Sequence, residues 1–190
     1  GVVAAAGDVV RLAAGLGARA FRTAADDDER DALWRGRKSA FGAVARILPD
    51  YYLHDTVVPR TRLVEVLAEV REIAARHDLA VYNVFHAGDG NLHPLLLFDG
   101  QEPGVMARVH AAGVEIVRAS LRAGGVLSGE HGIGLEKRDL MGLQFTEVEL
   151  EHQDRLRAAF DPDRVANPHK VLPGGSRCGE LGALPEGVWI

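Results

Sequence analysis

Two histidines flank a glycine-rich turn between Val84 and Pro94, in the order Val-Phe-His-Ala-Gly-Asp-Gly-Asn-Leu-His-Pro. With Asp89 and Gly90 as the central residues of a two-residue hairpin turn, Gly88 pairs with Asn91, Ala87 with Leu92 and His86 with His93. Directly opposed residues on one sheet face hold their Cβ atoms about 4.5–5.5 Å apart, so both imidazoles can reach one metal ion at about 2.1 Å each. A second constellation is Gly-Gly-Val-Leu-Ser-Gly-Glu-His-Gly-Ile-Gly, from Gly124 to Gly134. Glycines on both sides of Glu130-His131 open backbone conformations closed to other residues and can aim two adjacent polar side chains into a cleft. One carboxylate with two imidazoles is a common ligand set for a divalent ion that keeps a position open for substrate, and His131 can stand beside that position as a base.

Each motif has an ordinary explanation when taken singly: a Gly-Asp-Gly turn, a structural histidine, a solvated Glu-His pair. Together they favour a site. Phosphate binding is the weaker reading of the glycine loop, which follows a helix rather than a strand and matches neither the Walker pattern nor the dinucleotide fingerprint.

The elements that must position these residues follow from periodicity. Residues 2–16 have helical apolar spacing closed by Gly15 and Gly17, and 18–23 reads as a short strand. Asp26 to Asp28 open a second helix running to about Leu48, where acidic residues favour the positive helix end. Residues 51–58, aromatic and β-branched, read as a strand, and 60–76 as a helix with one apolar stripe. The hairpin arms are 79–85 and 92–98. Another helix lined by Met106, Val109, Gly113, Ile116, Val117 and Ser120 closes at Gly124-Gly125. The site loop 126–134, a helix over 146–160 and a mostly irregular stretch from 162 to 190 complete the chain. This order predicts an α+β fold, an antiparallel sheet covered on one face by helices, rather than a doubly wound parallel sheet.

The chain has 190 residues, 47% of them hydrophobic, enough for one domain with a real core. Its net charge of −5 comes from intermixed acids and bases, which argues against a nucleic-acid partner. The lone cysteine, Cys178, excludes an internal disulfide framework and a four-cysteine metal site, so any metal must be held by His, Asp or Glu in a reducing compartment. No apolar run approaches the ~20 residues of a membrane span and no secretory leader is evident, so the expectation is a cytoplasmic protein. The chain opens on Gly1 in a helix-like stretch, as a piece of a longer polypeptide would.

The segments from His86 to Pro94 and from Gly124 to Gly134, with Phe-Asp-Pro-Asp-Arg-Val-Ala-Asn-Pro-His-Lys from Phe160 to Lys170, resemble the C-terminal domain of FAD-linked 2-hydroxy acid oxidases. That group includes the glycolate oxidase flavin subunit, D-lactate dehydrogenase and D-2-hydroxyglutarate dehydrogenase. Leu33-Trp34-Arg35-Gly36-Arg37-Lys38 and Asp55-Thr56-Val57-Val58-Pro59-Arg60 resemble the family's Trp-x-x-Arg and Asp-x-x-Val-Pro-Arg stretches, so the likeness covers nearly the whole chain. It implies a ferredoxin-like cap domain spanning 1–190, with the sheet part in 1–125 and the site loop, helices and tail in 126–190. The resemblance implies that this chain holds only the cap, from after the cap's first strand, and that FAD is bound by a separate domain.

The resemblance further implies that His86, His93 and Glu130 are ligands of zinc or manganese and that His131 is the general base. Arg37 would pair with the substrate carboxylate, and Asn91 would be a substrate neighbour. It implies a small 2-hydroxy acid as substrate, FAD held by the protein's own flavin domain, and an iron–sulfur subunit as partner in glycolate oxidase relatives. His169 stands where the family has glycine and reads as a surface ring. A metal-dependent hydrolase using the same three ligands, and a non-catalytic interaction domain, are the competing functions.

Overall fold

The computed structural model describes residues 2–174, with side chains from Ala4 onward. Residues 175–190, which include Cys178 and most of the predicted irregular tail, lie outside the described residues. Two compact units divide after Ala43.

The first unit is helical. It holds α1 (Val2–Gly15), α2 (Asp27–Lys38) and most of α3 (Ala40–Val44). Asp26 caps α2, its side chain accepting from the Glu29 amide at 2.8 Å, and three acids in the first turn and three bases in the last complement the helix dipole. The single helix expected over 26–48 is broken: the Ser39 hydroxyl donates to the Arg35 carbonyl at 2.8 Å and ends α2, a local bond that competes with helix continuation. The strand expected over 18–23 is also absent. Those residues are exposed and carry no ladder, and alternating character alone does not make a strand without a neighbour to pair with.

The second unit is the α+β body, an antiparallel sheet of β1 (Asp50–Leu53), β2 (Thr56–Val57), β3 (Ala80–His86) and β4 (Asn91–Phe98). β4 is central, pairing with β1 and β2 along one edge and β3 along the other, and all eight of its residues are buried. One face carries Leu92, Leu96 and Phe98 of β4 with Val81 and Phe85 of β3. It packs on Val66, Val70 and Ile73 of α4 (Leu63–Arg76) and on Val109, Ala112 and Ile116 of α5 (Val105–Arg122). Alternation therefore puts Asn91, His93, Leu95 and Leu97 on the opposite face. α6 (Glu147–Phe160) starts in a capping box formed by Thr146 and Glu149.

The expected strand 51–58 is divided at His54-Asp55. β1 and β2 nevertheless share one register on β4, Leu53 opposite Leu95 and Thr56 opposite Leu92, which leaves His54 facing Pro94 and Asp55 facing His93. Pro94 explains the break. Its carbonyl accepts from the His54 amide at 2.9 Å, so the ring nitrogen, which has no hydrogen to donate, also points to this edge and the ladder loses a rung.

His169, at φ +63°, is exposed, as expected for a surface ring, and its carbonyl accepts from the buried Arg138 guanidinium.

His54, on the helix-facing side, is fully buried with both ring nitrogens unpartnered. Its ring fills the space over Gly113 of α5, where a Cβ would meet Nε2 at 2.6 Å, and it meets Tyr52 edge-on at 4.7 Å. Burial, helped by the nearby Lys137 and His110 charges and opposed by Asp55, lowers its pKa from 6.5 to about 3. The unfolded chain thus binds this proton more readily than the folded one. The contribution is intact above pH 6.5 and is lost as pH falls towards 3, by at most about 1.4 kcal/mol per pH unit. Denaturant titrations between pH 7 and 4 are expected to show this slope in the native chain and a flatter one in His54→Phe; equal slopes would remove His54 as its source.

Candidate metal centre

The hairpin predicted from Asp89-Gly90 forms, but in a different register. His86 pairs with Asn91, Phe85 with Leu92 and Val84 with His93, so the connection is the four residues 87–90 and the two histidines are diagonal rather than directly opposed. The displacement preserves the faces, because His93 is opposite Val84 and Val84 lies two residues from His86 along β3. The rings meet at a centroid separation of 5.5 Å, close to perpendicular. Gly90 enforces the tight return at φ +75°, and a Cβ there would lie 2.1 Å from the Val58 carbonyl oxygen.

The second half of the site arrives on the loop after α5. Gly124, at φ +82°, closes the helix. Val126 then exchanges backbone hydrogen bonds with Val57 of β2, its amide donating at 2.9 Å, and its carbonyl also accepts from the Thr56 hydroxyl at 2.8 Å. Leu127 is buried against Val117 and Met141. Held at those points, the loop brings Glu130 over the hairpin: Oε1 lies 3.1 Å from His93 Nε2, 3.6 Å from His86 Nε2 and 3.9 Å from His131 Nε2. The His131 ring stacks on His93 at 4.9 Å, with an interplanar angle of 13°.

These residues could hold a metal ion. One ligand atom from each of His86, His93 and Glu130 lies within 4.8 Å of the others. His93 is buried, yet its Nε2 has no hydrogen-bond partner, an arrangement that costs free energy unless an ion or another group satisfies it. Burial first, then the neighbouring His131, lowers the His93 pKa, with Glu130 and Asp55 opposing, which favours the neutral imidazole a metal needs. His86, Glu130 and His131 are about half exposed, leaving an approach for a small molecule.

Asp55, noted in the sequence only as part of a longer motif, is the hub of the loop. Its carboxylate is inaccessible to solvent, and Oδ2 accepts from the Ser128 hydroxyl at 2.6 Å and from the amides of Gly129, Glu130 and His131 at 2.9, 3.2 and 3.0 Å. Lys137, also buried, donates to the Asp55 carbonyl at 2.5 Å and lies 3.3 Å from Oδ2. Burial alone would raise the Asp55 pKa, but these donors hold it well below the usual carboxylate range. The signal available in the sequence was Pro94, which opens the ladder beside Asp55.

Asn91 sits on the same sheet face as His93, buried, with Oδ1 unpartnered and packed close to Gly129, where a Cβ would approach it to 2.7 Å. Arg37 belongs to the helical unit and is exposed on α2.

The chain belongs to the family described as FAD linked oxidases, C-terminal domain, whose model matches residues 3–171. It is 49% identical over 168 residues to the glycolate oxidase subunit GlcD of Escherichia coli K12, covering 88% of this chain and 34% of that protein. The Bacillus subtilis GlcD is 35% identical over 82% of this chain and 33% of its own length. A probable mitochondrial D-lactate dehydrogenase of Danio rerio is 33% identical over 80% of this chain and 31% of its own length. The chain thus spans about a third of the length of the curated relatives it matches. No described helix is long and apolar enough to cross a membrane.

Proposed function

We propose that this chain supplies the substrate- and metal-binding half of a flavin-dependent dehydrogenase that converts a 2-hydroxy acid of the glycolate or D-lactate type to its 2-oxo acid. The observation that carries the reading is the convergence of His86, His93 and Glu130, with His131 beside them, on the sheet face that α4 and α5 leave uncovered. Family membership and relatives named for glycolate and D-lactate support the redox chemistry and the substrate class.

In this reading His86, His93 and Glu130 would hold a divalent ion, zinc or manganese, which would supply Lewis acidity towards the substrate hydroxyl. FAD, held by a part of the protein outside these residues, would supply the hydride acceptor. His131 receives the hydroxyl proton on an imidazole nitrogen, and its stacking on His93 fixes the ring that does so. Asn91 borders the substrate, and Arg37 pairs with the carboxylate as a planar fork, an assignment that rests on its motif. An iron–sulfur subunit as onward electron acceptor follows from the glycolate oxidase likeness.

The test uses the full-length gene product under anaerobic conditions. Flavin reduction by glycolate or D-lactate is expected to slow by about 10²–10⁴-fold in His131→Gln, with metal content unchanged. Unaltered reduction would remove His131 from the base role, and a full-length product that binds no FAD would end the dehydrogenase reading altogether.

A further inference from the structure

The ligand cluster rests on a charged layer that the proposed reaction does not itself use. Asp55 faces His93 across the interrupted ladder, its Oδ1 3.7 Å from His93 Nε2. The two oxygens of this carboxylate are unequal. Oδ2 gathers the Ser128 hydroxyl, three consecutive amides and the Lys137 ammonium, whereas Oδ1 has the Glu130 amide alone, at 3.3 Å, and otherwise looks towards the histidine. Three successive amides converging on one carboxylate fix the backbone of 129–131, and with it the directions in which Glu130 and His131 leave the chain. A fully buried carboxylate beside a cation site would itself be a strong oxygen donor. Lys137, 5% exposed and anchored to both the Asp55 carbonyl and Oδ2, is the counter-charge that holds it back.

We infer that Asp55 and Lys137 are positioning residues with opposite effects on the metal site: Asp55 organises the Glu130-His131 loop and draws a cation in, and Lys137 limits that attraction and keeps Asp55 out of the ligand set. The inference rests on the metal reading of His86, His93 and Glu130. It goes beyond that reading by giving the site a tuned affinity rather than the highest one its residues could reach. With Glu130 and Asp55 negative and Lys137 positive, a divalent ion leaves the group with one net positive charge, a balance that suits a site receiving an anionic substrate. Removing Lys137 would cancel that charge and leave the Asp55 carboxylate able to compete for the position substrate needs.

A merely structural pair would behave differently, since loosening the loop from either side would weaken binding in both variants. The test is titration of the metal-free full chain with Zn²⁺ and separately with Mn²⁺, with thermal unfolding of each metal-free variant in parallel. Asp55→Asn is expected to weaken binding by about 10–100-fold, the range for residues that orient metal ligands from behind. Lys137→Met is expected to tighten it by about tenfold and to give a larger thermal shift on adding metal than the native chain shows. Weaker or unchanged binding in Lys137→Met overturns the inference even if Asp55→Asn does not fold, and so does unchanged binding in a folded Asp55→Asn. Failure of the native chain to bind either ion would instead remove the metal reading, and this inference with it.

Discussion

Glu130→Gln is expected to lower Zn²⁺ or Mn²⁺ affinity by more than 100-fold while leaving the metal-free fold unchanged. The substitution keeps shape and volume, and the side chain is half exposed at the end of a loop held by other residues, so little packing depends on it. What it removes is the single negative charge among the three candidate ligands, whose Oε1 lies closest to the otherwise unsatisfied Nε2 of His93. Outer residues that only orient ligands cost about 10–100-fold when changed, so loss of an anionic ligand must exceed that. Metal content after dialysis, and calorimetric titration of the metal-free chain, give the readout. The same variant in the full-length product is expected to lose 2-hydroxy acid oxidation in step with metal. Full metal occupancy in Glu130→Gln at micromolar ion would show that Glu130 is not a ligand.

Gly125→Ala is expected to cost about 3 kcal/mol of stability, at the upper end of ordinary overpacking. A Cβ at this position would lie 2.1 Å from the Val57 carbonyl oxygen and 2.8 Å from that of Ser120. Both atoms are backbone and both are engaged, Val57 O by the Val126 amide and Ser120 O by the Gly125 amide. Neither can move without breaking the bond that holds the site loop to β2 or the one that closes α5. The loss corresponds to a fall in melting temperature of about 6–12 °C for a chain of this size. Gly88→Ala, with nothing within 4 Å of the added carbon and no positive φ, is the matched control and is expected to melt like the native chain. Metal affinity should fall in Gly125→Ala alone, because displacing the loop from β2 moves Glu130 away from the hairpin. A melting temperature within 2 °C of native would contradict the packing argument.

Much of this site could be read from residue order because its parts are local. The hairpin arms, the loop glycines and the adjacency of Glu130 and His131 lie within short stretches, and strand alternation assigns His86 and His93 to one face in either the expected or the observed register. Periodicity likewise found α1, α4, α5 and α6, since each has an apolar pattern or capping residues that do not depend on a distant partner. One error fell where a pairing neighbour decides, and the other where a local side-chain bond competes with the helix. Residues 18–23 have a strand-like composition and no ladder, and the helix expected over 26–48 ends at a bond made by one serine.

By itself, then, the sequence determined the chemical inventory: two histidines returned by a turn, a glycine-framed Glu-His pair, and the α+β order that carries them. Only the tertiary structure decided that the loop after α5 lands on β2 rather than elsewhere, and that the hairpin closes through four residues. It alone showed that Asp55 and Lys137, 82 positions apart, share a buried bond beneath the ligands. The reason is physical. Local propensity and alternation act over a few residues, whereas a buried charge pair and a ladder interrupted by a proline on the adjacent strand are set by which segments pack together, and packing is a property of the whole sheet.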